Sequence, residues 1–158
     1  MNGRSKFALL LASLAFAIPQ GVSAAAASNA ELWNGTWHLN AAKSKFTSSA
    51  KEQSETRTYD ISGNKVTMKS RSKDPSGKVL NFSYSAGYDG KWYSMIGNPN
   101  ANRISLTAVS DRELKATSQL YGKPSVASTA TADGKHLVIK RKMLRMKGAP
   151  TDLMEFDR

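Results

Sequence analysis

The chain of 158 residues contains no cysteine. That excludes a disulfide scaffold, a thiolate zinc site, a cysteine nucleophile and a lipid-anchored N-terminal cysteine. Acidic residues are scarce as well: 12 Asp and Glu face 23 Lys and Arg, for a formal charge of +11. With only 11 glycines and 5 prolines, the chain is neither collagen-like nor a flexible linker. It lacks a Gly-x-Ser-x-Gly elbow, a phosphate loop and a dinucleotide fingerprint. What remains, 40% hydrophobic and 22% charged, is the composition of one ordinary folded domain.

The first 30 residues differ from the rest. Arg4 and Lys6 precede the apolar run Phe7 to Ile18, which Pro19, Gln20 and Gly21 break. The run is shorter than the roughly 20 residues a transmembrane helix needs, and Val22, Ser23 and Ala24 are small enough for a signal peptidase. The pattern predicts a signal peptide over residues 1–24, a flexible stretch over 25–31 and one domain over 32–158. Cleavage removes two positive charges and no negative one, leaving +9. The expected product is a soluble periplasmic or secreted protein with no transmembrane segment.

Beyond Leu32, turn signals such as Ser62-Gly63-Asn64, Asp74-Pro75-Ser76-Gly77, Asp89-Gly90 and Asp133-Gly134 recur every 8 to 12 residues. Between them apolar residues alternate with polar ones: Val66 and Met68 oppose Lys65, Thr67, Lys69 and Arg71, and Leu80, Phe82 and Tyr84 oppose Val79, Asn81 and Ser83. Ten strands are predicted: 35–40, 55–61, 65–73, 78–85, 91–95, 102–109, 112–120, 125–131, 135–143 and 151–156. The fold class is therefore all-β. An antiparallel up-and-down barrel of 8 to 10 strands removes exposed edges, while a two-sheet sandwich fits the same periodicity. Residues 41–50 do not alternate and read as a helical turn or an irregular lid.

Gly35-x-Trp37 opens the first strand, followed by Lys43-Ser44-Lys45-Phe46, Tyr88-Asp89-Gly90-Lys91 and Gly97-Asn98-Pro99. In this order and position they resemble small exported bacterial lipocalin-like proteins of the calycin superfamily. The resemblance implies that Gly35 and Trp37 close the base of a barrel, with an arginine of a late strand packed over the tryptophan. Alternation in 135–143 puts Arg141 on the same face as Leu137 and Ile139, so Arg141 is the residue expected in that role.

Enzymatic chemistry finds little support. His38 and His136 fall on outer positions without a nearby carboxylate at supporting spacing, and Asp152, Glu155 and Asp157 fit a terminal strand with a charged face. No metal and no cofactor are expected. The inward set mixes large and small side chains, and Tyr59, Met68, Phe82, Tyr84, Tyr88, Tyr93, Leu106 and Leu114 are the candidates to line a cavity for a small apolar or amphipathic molecule. The alternative is that the same residues simply fill the barrel. Lys69, Arg71, Lys140, Lys142 and Arg145 mark a basic surface suited to an anionic envelope surface, lipid or glycan. Nucleic acid is not expected, because the basic strands lack interleaved aromatics. The reading is a monomeric, non-enzymatic carrier or sensor, with an envelope-associated cationic protein as the alternative.

Overall fold

Alternation at period two becomes ten antiparallel strands in a computed structural model that describes residues 30–158. The expected signal peptide lies outside the described residues. A single helical turn, α1 (Ala30–Trp33), comes first, so Ala30 and Glu31 belong to the domain rather than to the stretch before it. The strands are β1 (Gly35–Leu39), β2 (Ser54–Ser62), β3 (Lys65–Lys73), β4 (Val79–Gly87), β5 (Asp89–Ile96), β6 (Arg103–Ala108), β7 (Glu113–Leu120), β8 (Lys123–Ala132), β9 (His136–Met143) and β10 (Thr151–Asp157). Each pairs with its neighbour in sequence, and β1 also pairs with β10, closing the barrel. Closure removes the free edges that a sandwich would leave.

The connections divide the barrel into two ends. Hairpins β2–β3, β4–β5, β6–β7 and β8–β9 share one end with α1. Hairpins β3–β4, β5–β6, β7–β8 and β9–β10 share the other with the long connection 40–53.

At the first end the barrel is plugged. Trp33, Trp37, Val66, Ala132, Leu137 and Phe156 are all 0% exposed. The Trp33 indole N–H donates to the Asp111 carbonyl at 2.8 Å, and the Trp37 indole N–H donates to the Trp33 carbonyl at 2.8 Å. Trp33 also sets its ring edge-on to Tyr59, 6.0 Å between centroids. The Asn34 carboxamide accepts from the Ile61 N–H at 2.6 Å and donates to the Ile61 carbonyl at 3.3 Å, extending the β2 ladder by one residue's worth of pairing. Both indole donors are satisfied, so burial of two tryptophans proceeds without an orphaned polar group.

Glycine is required at position 97 and leaves room for the Tyr93 hydroxyl at position 87. A Cβ on Gly97 would collide with the Asn81 carbonyl, and one on Gly87 would sit 2.8 Å from the Tyr93 hydroxyl. Strands β4 and β5 pair only at Ser83↔Ile96 and Tyr84↔Met95, then part toward the closed end, where Tyr93 reaches across to Gly87.

Candidate functional site

Inward-facing residues behave differently above the plug. Leu80, Phe82, Tyr84, Ala116, Val126, Ser128 and Ala130 all have inward parity yet keep accessible surface. Surface accessible inside a barrel is the wall of a cavity. Its volume is about 330 Å³, at the lower edge of the range for ligand sites. Tyr59, Met68, Leu106, Leu114 and Ile139 line it toward the plug; small residues Ala116, Ser118, Ser128 and Ala130 on β7 and β8 leave the space.

Six expected lining residues, Tyr59, Met68, Phe82, Tyr84, Leu106 and Leu114, meet in this cavity. Tyr88 and Tyr93 do not. Tyr88 lies at the β4–β5 turn and is buried in the core cluster of the closed end. Tyr93 faces inward opposite Ile104, but the gap between β4 and β5 takes its ring, and its hydroxyl donates to the Asp89 carboxylate at 3.0 Å.

Two ion-pair systems stand in the wall. Arg57, on the inward parity of β2 between Glu55 and Tyr59, was not foreseen from the sequence. Its Nε donates to Glu55 Oε1 at 2.6 Å, and Ser70 Oγ donates to the same oxygen at 2.6 Å. The guanidinium stands 5.3 Å from the Phe156 ring centroid and 6.0 Å from that of Phe82. Burial opposes its charge, but Glu55 and Tyr59 outweigh that and hold its pKa above the ordinary arginine value. On β4, one inward position nearer the plug by register, burial pushes the Tyr84 phenol well above the usual range, so the hydroxyl stays protonated and able to donate.

The second system corrects the role expected of Arg141. It points inward, as its parity predicts, but at the open end and away from Trp37. Register sets Arg141 opposite Asp152 on β10. Its Nη2 donates to Asp152 Oδ2 at 2.9 Å and to the Ala50 carbonyl at 2.9 Å, while Nη1 donates to Glu52 Oε1 at 2.8 Å. Asp152 is fully buried on the inward parity with Met154 and Phe156, so it is no part of a solvated terminal face. It also accepts from the backbone N–H groups of Thr47 and Ser48 at 2.8 Å each and from the Ser48 hydroxyl at 2.6 Å. With the Lys45↔Leu153 bridge, these bonds fasten the irregular connection 40–53 along β10 and across part of the mouth. Burial raises the pKa of Glu52 against the opposing effect of Arg141.

Over Trp37 sits Arg158, the last residue, with its guanidinium 4.6 Å from the ring centroid. It donates to the Asn34 carbonyl at 2.6 Å and the Glu31 carbonyl at 3.1 Å, and its side chain runs beside Gly35. The signal was present in the sequence: Arg158 continues the inward parity of Met154 and Phe156.

The basic residues do not form one surface. Lys69 and Arg71 lie on the outer face of β3, and Lys140 and Lys142 on that of β9. Closure places β2, β1 and β10 between those strands, so the two rows face different sides, and Arg145 is in the β9–β10 hairpin. His38 and His136 are exposed on the outer face; His136 Nδ1 is 3.2 Å from Asp133. Among the described residues no helix is long and apolar enough to cross a membrane. Comparison with family models, with curated proteins and with solved structures finds no match to this chain.

Proposed function

We propose that the protein is an exported, non-enzymatic carrier or sensor that holds a small apolar or amphipathic molecule in the open half of its barrel. The observation that carries this reading is the cavity of about 330 Å³, walled by inward side chains that keep accessible surface. A filled barrel would have buried those side chains as completely as Trp37 and Leu137. Most of the lining is apolar, and the guanidinium of Arg57 and the hydroxyl of Tyr84 offer a ligand's polar group two hydrogen-bond donors. Because Glu55 already neutralises Arg57, the cavity accepts an uncharged guest without leaving an uncompensated charge.

The resemblance to lipocalin-like proteins draws support from the base, where the guanidinium of Arg158, one residue past β10, lies over Trp37 beside Gly35.

The test is a titration with N-phenyl-1-naphthylamine, an uncharged dye that brightens in apolar surroundings. Saturable one-site binding, displaced by decanoic acid or decanol and weakened at least about tenfold by Phe82→Asp, is the expected result, because the variant sets a charge in the apolar wall. Absence of saturable binding rejects the reading.

A further inference from the structure

The two ends of the barrel differ in charge and in what they expose. At the open end, Lys51, Lys73, Lys78, Lys123, Arg145 and Lys147 are all exposed. The acids there are engaged: Glu52 by Arg141, and Asp74 by the Ser76 hydroxyl and the backbone N–H groups of Ser76 and Lys78. At the closed end the charges balance. There Glu31, Asp89, Asp111, Glu113, Asp133 and Asp157 are matched by Lys43, Lys65, Lys91, Arg112, Lys135 and Arg158, with Lys91 paired to Asp89 and Lys43 to Asp157. The basic character of the protein is thus gathered around the mouth of its cavity.

The same end exposes four large apolar side chains, where among the described residues the closed end exposes Val109 and the wall Trp92. Each of the open end's four hairpins carries one, at the turn or at the strand terminus beside it: Val79, Ile96, Tyr121 and Leu144, with Ile96 71% and Tyr121 84% exposed. Tyr121 is informative because its backbone disfavours it. Tyr121 and Gly122 form the two-residue turn between β7 and β8, and both take positive φ, 51° and 79°. Such a turn favours Asn-Gly, and a bulky aromatic residue in that region is strained. Nothing in the fold offsets the strain, since the ring is exposed; only the Tyr121 N–H is held, by Asn102 Oδ1 at 3.1 Å. An exposed aromatic ring kept at a strained position among lysines points to a contact outside the molecule.

We infer that the open rim docks on an anionic lipid bilayer, with Tyr121, Ile96, Val79 and Leu144 in the headgroup layer and the surrounding lysines and arginines against lipid phosphates. Aromatic and aliphatic side chains at the interface combined with basic residues are the pairing that holds peripheral proteins on such surfaces. The closed end, where opposite charges balance, turns away from the membrane, so the charge distribution sets the orientation as well as the affinity. Docked in this way, the mouth opens onto the bilayer. The inference stands apart from cavity binding, because rim contacts need no ligand inside.

Vesicle co-sedimentation of the protein purified from an exporting host tests it. Vesicles of phosphatidylcholine with about a third phosphatidylglycerol should bind it, and binding should fall steeply as salt rises. The rim variant Lys123→Glu/Lys147→Glu should lose at least about thirtyfold in affinity. Lys69→Glu/Lys140→Glu makes the same change in net charge on the barrel wall and should lose less than about fivefold. Tyr121→Asn should weaken binding about fivefold while leaving the melting temperature unchanged or higher, since asparagine suits the turn. No binding to the anionic vesicles overturns the inference. Equal losses in the two charge-reversed variants would mean unoriented attraction, and full affinity in Tyr121→Asn would mean a polyanion surface rather than a bilayer; either result also overturns it.

Discussion

The closed and open halves of this barrel solve opposite problems with the same ten strands. In the closed half, inward positions carry large side chains: Trp37, Tyr59, Val66, Leu137 and Phe156 meet Trp33 from the helical turn, and the space between them is filled. In the open half, inward positions on β7 and β8 carry Ala116, Ser118, Ser128 and Ala130, and polar groups appear in the wall. Stability is therefore concentrated at one end, which allows a hollow at the other. Polar groups follow the same division. Closed-end donors such as the two indole N–H groups go to backbone carbonyls, whereas the open end holds Arg57 with Glu55 and Arg141 with Glu52 and Asp152.

Substitutions can break this division. The largest loss of stability should follow Trp37→Ala, which empties a packed site; about 4 kcal/mol in urea denaturation is expected, and less than about 1 kcal/mol would mean the plug does not carry the fold. Asp152→Ala should follow at about 3 kcal/mol, because it leaves Arg141 buried with one counter-charge fewer and releases Thr47 and Ser48. Hydrogen exchange should then quicken in 46–53 while the closed end stays protected. Arg158→Ala should cost about 1 kcal/mol, the scale of one cation–π contact with two carbonyl bonds lost at a solvent-facing site.

Acid acts in one direction on Asp152 in the open half and Asp133 in the closed half, and in the opposite direction, at higher pH, on Glu52, whose pKa burial raises. Burial opposes the charge of Asp152, but its bonds from Ser48, Arg141 and Thr47 prevail and lower its pKa. At the closed end, the backbone N–H groups of His136 and Lys135 bring Asp133 down to about 2. Folded values below the unfolded ones mean stability that is present above about pH 4 and lost as pH falls through the folded values. The melting temperature should accordingly fall between pH 4 and pH 2, and a flat profile there would contradict the assignment.

Alternation made the strands legible, and with them the inward or outward facing of each residue. Strand β3 begins and ends where Lys65 and Lys73 predict, and Tyr59, Met68, Phe82, Tyr84, Leu106 and Leu114 reach the cavity because parity alone decides their direction. Height along the barrel was harder to read, since it depends on register between strands. Arg141 was correctly turned inward and then set at the wrong end, because only the pairing Asp152↔Arg141 reveals its level. Tyr88 and Tyr93, expected in the cavity, fall outside it for a related reason: the parting of β4 from β5 is a property of the pair of strands and leaves no mark on either one. Arg57 was overlooked because a lone arginine among Glu55 and Tyr59 reads as a surface charge until closure brings Phe82 and Phe156 around it. The basic rows of β3 and β9 looked like one surface in a list of residues, and closure set them on different sides.

The central claim is that the open half is hollow and receives a ligand. Filling it tests that claim most directly, through Ala116→Leu/Ala130→Leu, two inward changes on the adjacent strands β7 and β8. Affinity for N-phenyl-1-naphthylamine and stability are then measured on the same samples. The account predicts that dye binding is lost while stability stays within about 1 kcal/mol of the parent, because the added side chains enter existing space. Unchanged dye affinity would contradict it, as would a loss of about 3 kcal/mol or more, which would mean that the space was already filled.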